Sequence, residues 1–169
     1  LTLLLTEKAG YTAAEAGRYI LLASLSFIPG SLLGGRLSDT FGRKRLLITA
    51  MLAVAAIFSV AGYVERPEYL PWFMIAAEFA LGMVFPTMTA LAADVTTPEN
   101  RKAAFSLLYL GHNIGFAAGP LIAGFLFNRN YALLFFGDAI TTVLSVLLIA
   151  LLVTESKPDA TAMQEIGEA

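Results

Sequence analysis

Residues 102–129 read KAAFSLLYLGHNIGFAAGPLIAGFLFNR, and the 26 positions between Lys102 and Arg129 contain no Asp, Glu, Lys or Arg. Wound as a helix at 1.5 Å per residue, such a run is about 39 Å long, enough to cross a hydrocarbon core of about 30 Å. Pro120 and the four glycines of this stretch speak against a helix in water. In a bilayer they are tolerated, because neighbouring helices re-satisfy the backbone groups that such residues free. A membrane β-strand needs short alternating segments instead. The stretch therefore predicts a transmembrane helix.

The same reading extends along the chain. Charge-poor runs lie between Arg18 and Arg36 (17 residues), Arg45 and Glu65 (19), Glu68 and Asp94 (25, broken by Glu78) and Arg129 and Glu155 (25, broken by Asp138). Residues 1–6, LTLLLT, read as the end of an earlier span. The expected fold is an all-α integral membrane protein, a helical bundle of about five complete transmembrane helices plus the end of one more, over residues 1–154. Residues 155–169 read as the start of a polar cytoplasmic linker. The chain opens on Leu1 inside an apolar stretch with no charged region before it, so it reads as an internal piece of something longer rather than a signal peptide.

Composition agrees. Of 169 residues, 57% are hydrophobic and 14% charged, against about 45–50% and about 25% in soluble domains. The net charge of −2 gives no electrostatic footprint for nucleic acid. With no cysteine and one histidine, His112, there is no disulfide framework, thiolate site, Cys nucleophile or His-rich metal site. No nucleophile elbow, zinc-protease motif or phosphate-cradling loop occurs, which argues against an enzyme and an ATP-driven pump. No cofactor is implied, and a proton gradient is the expected energy source. Lys and Arg set the orientation. Arg36, Arg43, Lys44, Arg45, Arg101, Lys102 and Lys157 fall on one side, the expected cytoplasmic side. Lys8, Arg18, Arg66 and Arg129 fall on the other, among Glu7, Glu15, Glu65 and Glu68.

The loop 35–45, GRLSDTFGRKR, is the sharpest motif. Gly35 is expected to allow close helix approach, and Gly42 to turn the chain with positive φ. Asp39 is placed to oppose the positive end of a neighbouring helix. Arg43, four residues on, is within reach of Asp39 or of another acid. The bland alternative is a generic positive-inside loop. Gly-x-x-x-Asp-x-x-Gly-Arg-Lys between two spans resembles the signature loop of the major facilitator superfamily, between its second and third helices. The resemblance implies a cytoplasmic gate latch made of Gly35, Asp39, Gly42, Arg43, Lys44 and Arg45. It also implies that Asp94, at the end of the fourth family helix, completes the charge network. Thr40 stands where the family usually carries a basic residue.

In the stretch that opened the reading, Gly111, Gly115 and Gly119 recur at four-residue spacing, followed by Pro120 and Gly124. Ordinary small-residue packing explains such a stripe, with Pro120 bending the helix. The pattern also resembles the antiporter motif of the superfamily's fifth helix, which implies the N-terminal half of the fold and export rather than import. Gly30 and Gly34 repeat the spacing in the 19–35 span, where packing alone accounts for them.

Ionisable groups inside hydrocarbon are costly and mark function by default. Glu78 lies about 12 Å from the outer end of its span, Asp138 about 10 Å from the same side, and His112 about 16 Å from the cytoplasmic side. Glu78 is the leading protonation candidate, His112 its candidate partner and Asp138 a further cavity candidate. Each has a structural alternative as a buried hydrogen-bonding group. The family often carries Arg where Glu78 stands, four residues before Gly82. Tyr63, Tyr69, Trp72 and Tyr131 read as interfacial anchors. Phe79, Met83, Phe85 and Met88 read as packing or lipid-facing residues, with a greasy pocket as the alternative.

The resemblance implies a bacterial-type, multi-pass plasma-membrane transporter working by alternating access. Its leading function is proton-coupled efflux of small amphipathic or drug-like molecules. The partners implied are the lipid bilayer, a small-molecule substrate and a C-terminal six-helix half. An importer of a sugar, peptide or other nutrient is the near alternative, and a non-transporting membrane sensor or assembly module the distant one.

Overall fold

A computed structural model describes residues 2–156; Lys157 and the rest of the tail lie outside the described residues. A short π-helical segment, Leu4–Lys8, is followed by five long helices: α1 (Ala13–Phe41), α2 (Arg43–Gly62), α3 (Leu70–Asp94), α4 (Arg101–Arg129) and α5 (Ala132–Leu152). Their lengths of 20 to 29 residues correspond to about 30–44 Å. All five are long and apolar enough to cross a membrane, as the charge-poor runs predict.

The helix ends follow from local chemistry. Thr12 and Glu15 form a capping box: the Glu15 amide donates to Thr12 Oγ1 at 3.2 Å, and the Thr12 amide donates to Glu15 Oε2 at 2.9 Å. Gly42, at φ +99°, both ends α1 and begins α2, a backbone that L side chains rarely adopt. A 3₁₀ turn, Pro67–Tyr69, leads into α3. Pro29, Pro86 and Pro120 lie inside helices.

The tightest contact is between α1 and α3. A Cβ added at Gly30 would overlap the Phe79 carbonyl, one at Gly82 the Phe27 carbonyl, and one at Gly34 would sit 2.6 Å from Met83 Cα. Close approach lets Ser26 Oγ donate across the seam to the Ile75 carbonyl at 2.9 Å. Gly35 does not meet a helix among the described residues: none of them lies within 4 Å of a Cβ built there. One residue is about 100° around a helix, so Gly34, not Gly35, faces α3.

Two small apolar clusters tie together the helix ends opposite Gly42. Leu4, Ala61, Leu70 and Phe135 bring the N-terminal turn onto α2, α3 and α5. Leu5, Ala16 and Met74 join that turn to α1 and α3. By contrast α4 buries no residue, and nothing among the described residues approaches Gly111, Gly115, Gly119 or Gly124. The expected close helix contact along that stripe is absent from the described bundle, because α4 packs only sparsely on α5 and α3. Large side chains such as Leu32, Phe116, Leu121 and Leu151 are exposed across the bundle, an apolar exterior suited to lipid.

Candidate functional site

Arg43 opens α2 directly after Gly42, and the ends of four elements meet around it. Its Nη1 lies 2.5 Å from Asp94 Oδ1 at the end of α3 and donates to the Ala90 carbonyl at 2.8 Å. Its Nη2 lies 3.6 Å from Asp39 Oδ1 at the end of α1. The Arg43 side chain is 14% exposed, Asp94 27% and Asp39 40%. The short, less exposed Asp94 pair is therefore the stronger, since a charged hydrogen bond weakens as water screens it. Arg43 Nε is buried without a partner among the described residues. Thr40 Oγ1 donates to the Leu37 carbonyl of its own helix at 3.1 Å, so this position adds nothing to the charge cluster.

Sequence reasoning missed the fourth element. Past α5, Glu155 and Ser156 fold back onto the same place. Glu155 Oε1 accepts from the Lys44 amide at 2.9 Å and Oε2 from the Arg45 amide at 3.2 Å. Ser156 donates from Oγ to Asp94 Oδ2 at 2.6 Å, and its carbonyl accepts from the Arg43 amide at 3.1 Å. Lys44 Nζ reaches the Ala150 carbonyl in the last turn of α5 at 2.7 Å. The signal was present in the sequence. α2 begins with three cations at the positive end of its dipole and with a glycine that cannot cap it, so an outside acceptor was required.

The three ionisable groups of the spans are not brought together. Glu78 is half-buried on α3, and no hydrogen bond or ion pair reaches it among the described residues. His112 lies on α4 with its ring 4.6 Å from Phe116, edge to face, and 6.1 Å from Phe85. Glu78 stands seven residues from Phe85, about 10 Å along α3. The imidazole thus meets aromatic rings rather than the Glu78 carboxyl that was expected as its partner. His112, Phe85, Met88 and Tyr109 line a pocket of about 80 Å³. Asp138 lines a separate, apolar cavity of about 470 Å³ with Leu4, Phe58, Pro120, Phe127 and Phe135. The aromatic and Met positions divide accordingly: Phe79 and Met83 pack on the α1 glycines, while Phe85 and Met88 face His112. Tyr63, Tyr69 and Trp72 are exposed at the helix ends opposite Gly42, and Tyr131 Oη donates to the Val64 carbonyl at 3.4 Å. Among the described residues no cluster of His, Asp or Glu is arranged to hold a metal ion.

Five apolar helices thus carry a charged cluster on a Gly-x-x-x-Asp-x-x-Gly-Arg-Lys loop. The sequence pattern of the Major Facilitator Superfamily matches residues 1–167. The chain belongs to this superfamily. It is a multi-pass membrane protein of a transporter family, not an enzyme. The superfamily chain is 32% identical over 147 residues to the multidrug resistance protein MdtH of Salmonella typhimurium, covering 85% of this chain and 36% of that protein. It is 27% identical over 140 residues to YttB of Bacillus subtilis, named as an uncharacterised MFS-type transporter, covering 82% and 35%. The chain thus spans about a third of the length of these curated relatives.

Proposed function

We propose that this chain is the N-terminal half of a proton-coupled secondary transporter that exports small amphipathic or drug-like molecules across a bacterial plasma membrane. The observation that carries the reading is the Asp39–Arg43–Asp94 cluster, which joins the cytoplasmic ends of α1, α2 and α3 on the loop that the superfamily uses as a gate. Alternating access requires a bistable element, and a surface charge cluster that is assembled in one state and broken in the other meets that requirement. The Gly-x-x-x-Gly-Pro stripe of α4 and the similarity to a protein named for multidrug resistance favour export. A second half, a small-molecule substrate and the bilayer complete the assembly.

Glu78 is the proposed proton carrier, because it is the half-buried carboxyl of the spans that no partner occupies among the described residues. In full-length protein reconstituted into vesicles with an imposed pH gradient, Glu78→Gln is expected to abolish the dependence of efflux on that gradient. Efflux that still follows the gradient in the variant removes the assignment. Counterflow across a panel of sugars, peptides and lipophilic drugs separates export from nutrient import.

A further inference from the structure

Resting on the gate reading of the 35–45 loop, we propose that Glu155 is a positioning residue of the gate. From beyond α5, Glu155 and Ser156 hold the start of α2, and with it Arg43, against Asp94.

The need for it is electrostatic. The first amides of a helix have no internal partners, and the helix dipole places partial positive charge there. In α2 the side chains of Arg43, Lys44 and Arg45 add three cations at that end, and Gly42 has no side chain to cap it. Three successive amides, of Arg43, Lys44 and Arg45, are instead satisfied by the two residues Ser156 and Glu155. Arg45 Nε adds an ion pair with Glu155 Oε2 at 3.6 Å. Lys44 returns the contact by donating to Ala150, one of the carbonyls left free at the end of α5. The two antiparallel helices thus cap each other at one end.

The geometry of the turn supports this. The φ of +99° favours glycine at residue 42, and the carboxylate of Glu155 lies where a Cβ would stand, 2.9 Å from Oε1, so any side chain there would push Glu155 aside. The Arg43 amide is fixed by Ser156 while its guanidinium reaches Asp94, and Ser156 Oγ binds the other oxygen of the same Asp94. Displacing the end of α5 from the start of α2 therefore removes the support of Arg43 and one ligand of Asp94 together. In this way the position of α5 is coupled to the gate without Glu155 touching Asp39 or Asp94.

The test uses full-length protein with a single reporter thiol, introduced as Ser38→Cys or as Ala61→Cys. Ser38 is 2% exposed beside the gate; Ala61 is fully buried at the opposite, outer end. Alkylation by a membrane-permeant maleimide reads how often each site opens. Glu155→Ala is expected to raise the rate of the gate-side reporter at least about tenfold, since the variant loses both charged hydrogen bonds that Glu155 accepts from the Lys44 and Arg45 amides. Glu155→Gln is expected to fall between it and the parent, and the rate of the outer reporter to stay unchanged. Equal acceleration at both sites, or none at the gate side, overturns the proposal, the first because it means general loosening. Asp94→Asn, which removes the stronger of the two Arg43 pairs, serves as the gate control. If it leaves the gate-side reporter at the parent rate, the gate reading itself fails. If it accelerates that reporter while Glu155→Ala does not, only the role of Glu155 fails.

Discussion

Arg43 shows how one residue type at one position recruits its surroundings. A guanidinium offers five donors in a fixed plane, and here they serve two carboxylates and a backbone carbonyl contributed by two other helices. The two carboxylates are unequal. Asp94→Asn is expected to lower stability by about 1–3 kcal/mol, because it removes a short charged bond from a largely buried cation. Asp39→Asn, at 3.6 Å and more exposed, is expected to cost less than about 1 kcal/mol. Thermal unfolding of the detergent-solubilised protein checks the order, which a larger loss at Asp39 would reverse. Arg43→Lys is expected to resemble Asp94→Asn, since an ammonium cannot span both acids and the Ala90 carbonyl. Asp39 and Arg43 were legible from their four-residue spacing, and Asp94 from the family resemblance. Glu155 was not, because 110 residues separate it from Arg45 and only the packing of α5 on α2 brings it there.

At the scale of the helices, small residues decide which faces meet. α1 and α3 approach through Gly30, Gly34 and Gly82, where backbone touches backbone. Gly30→Ala or Gly82→Ala is expected to destabilise the protein by about 1–3 kcal/mol, as overpacking a seam does. Gly17 lies on the same helix as Gly30, with no described residue within 4 Å of its Cβ position. Gly17→Ala is therefore expected to stabilise, by up to about 1 kcal/mol, because alanine is the better helix former. Unfolding midpoints of the three variants give the comparison, and a gain in all three would show that helix propensity, not contact, governs this seam. The sequence displayed glycine stripes in both α1 and α4 with the same spacing, and spacing alone could not say which was occupied. In α1 the stripe is filled by α3; in α4 it is open within the described residues. The difference lies in which helices are neighbours, a property that no single helix carries.

For the whole molecule, the bilayer is the solvent that reconciles a sparse interior with so many exposed apolar side chains. The basic residues predict an orientation that is open to direct measurement. Tyr63→Cys is expected to react with an impermeant maleimide added outside intact cells, and Thr40→Cys only in inverted vesicles; both positions are exposed. The opposite labelling would turn the bundle over and move the gate cluster to the outer face. The number and length of the spans and the membrane as environment were determined by the sequence alone, because hydrophobic length and the cost of burying charge act on each segment independently. Tertiary structure decided the rest: that Gly34 rather than Gly35 meets α3, that His112 faces phenylalanine rings instead of Glu78, and that Glu155 caps α2. Each of these depends on helix rotation and on which ends converge, and those are set by packing between segments far apart in the chain.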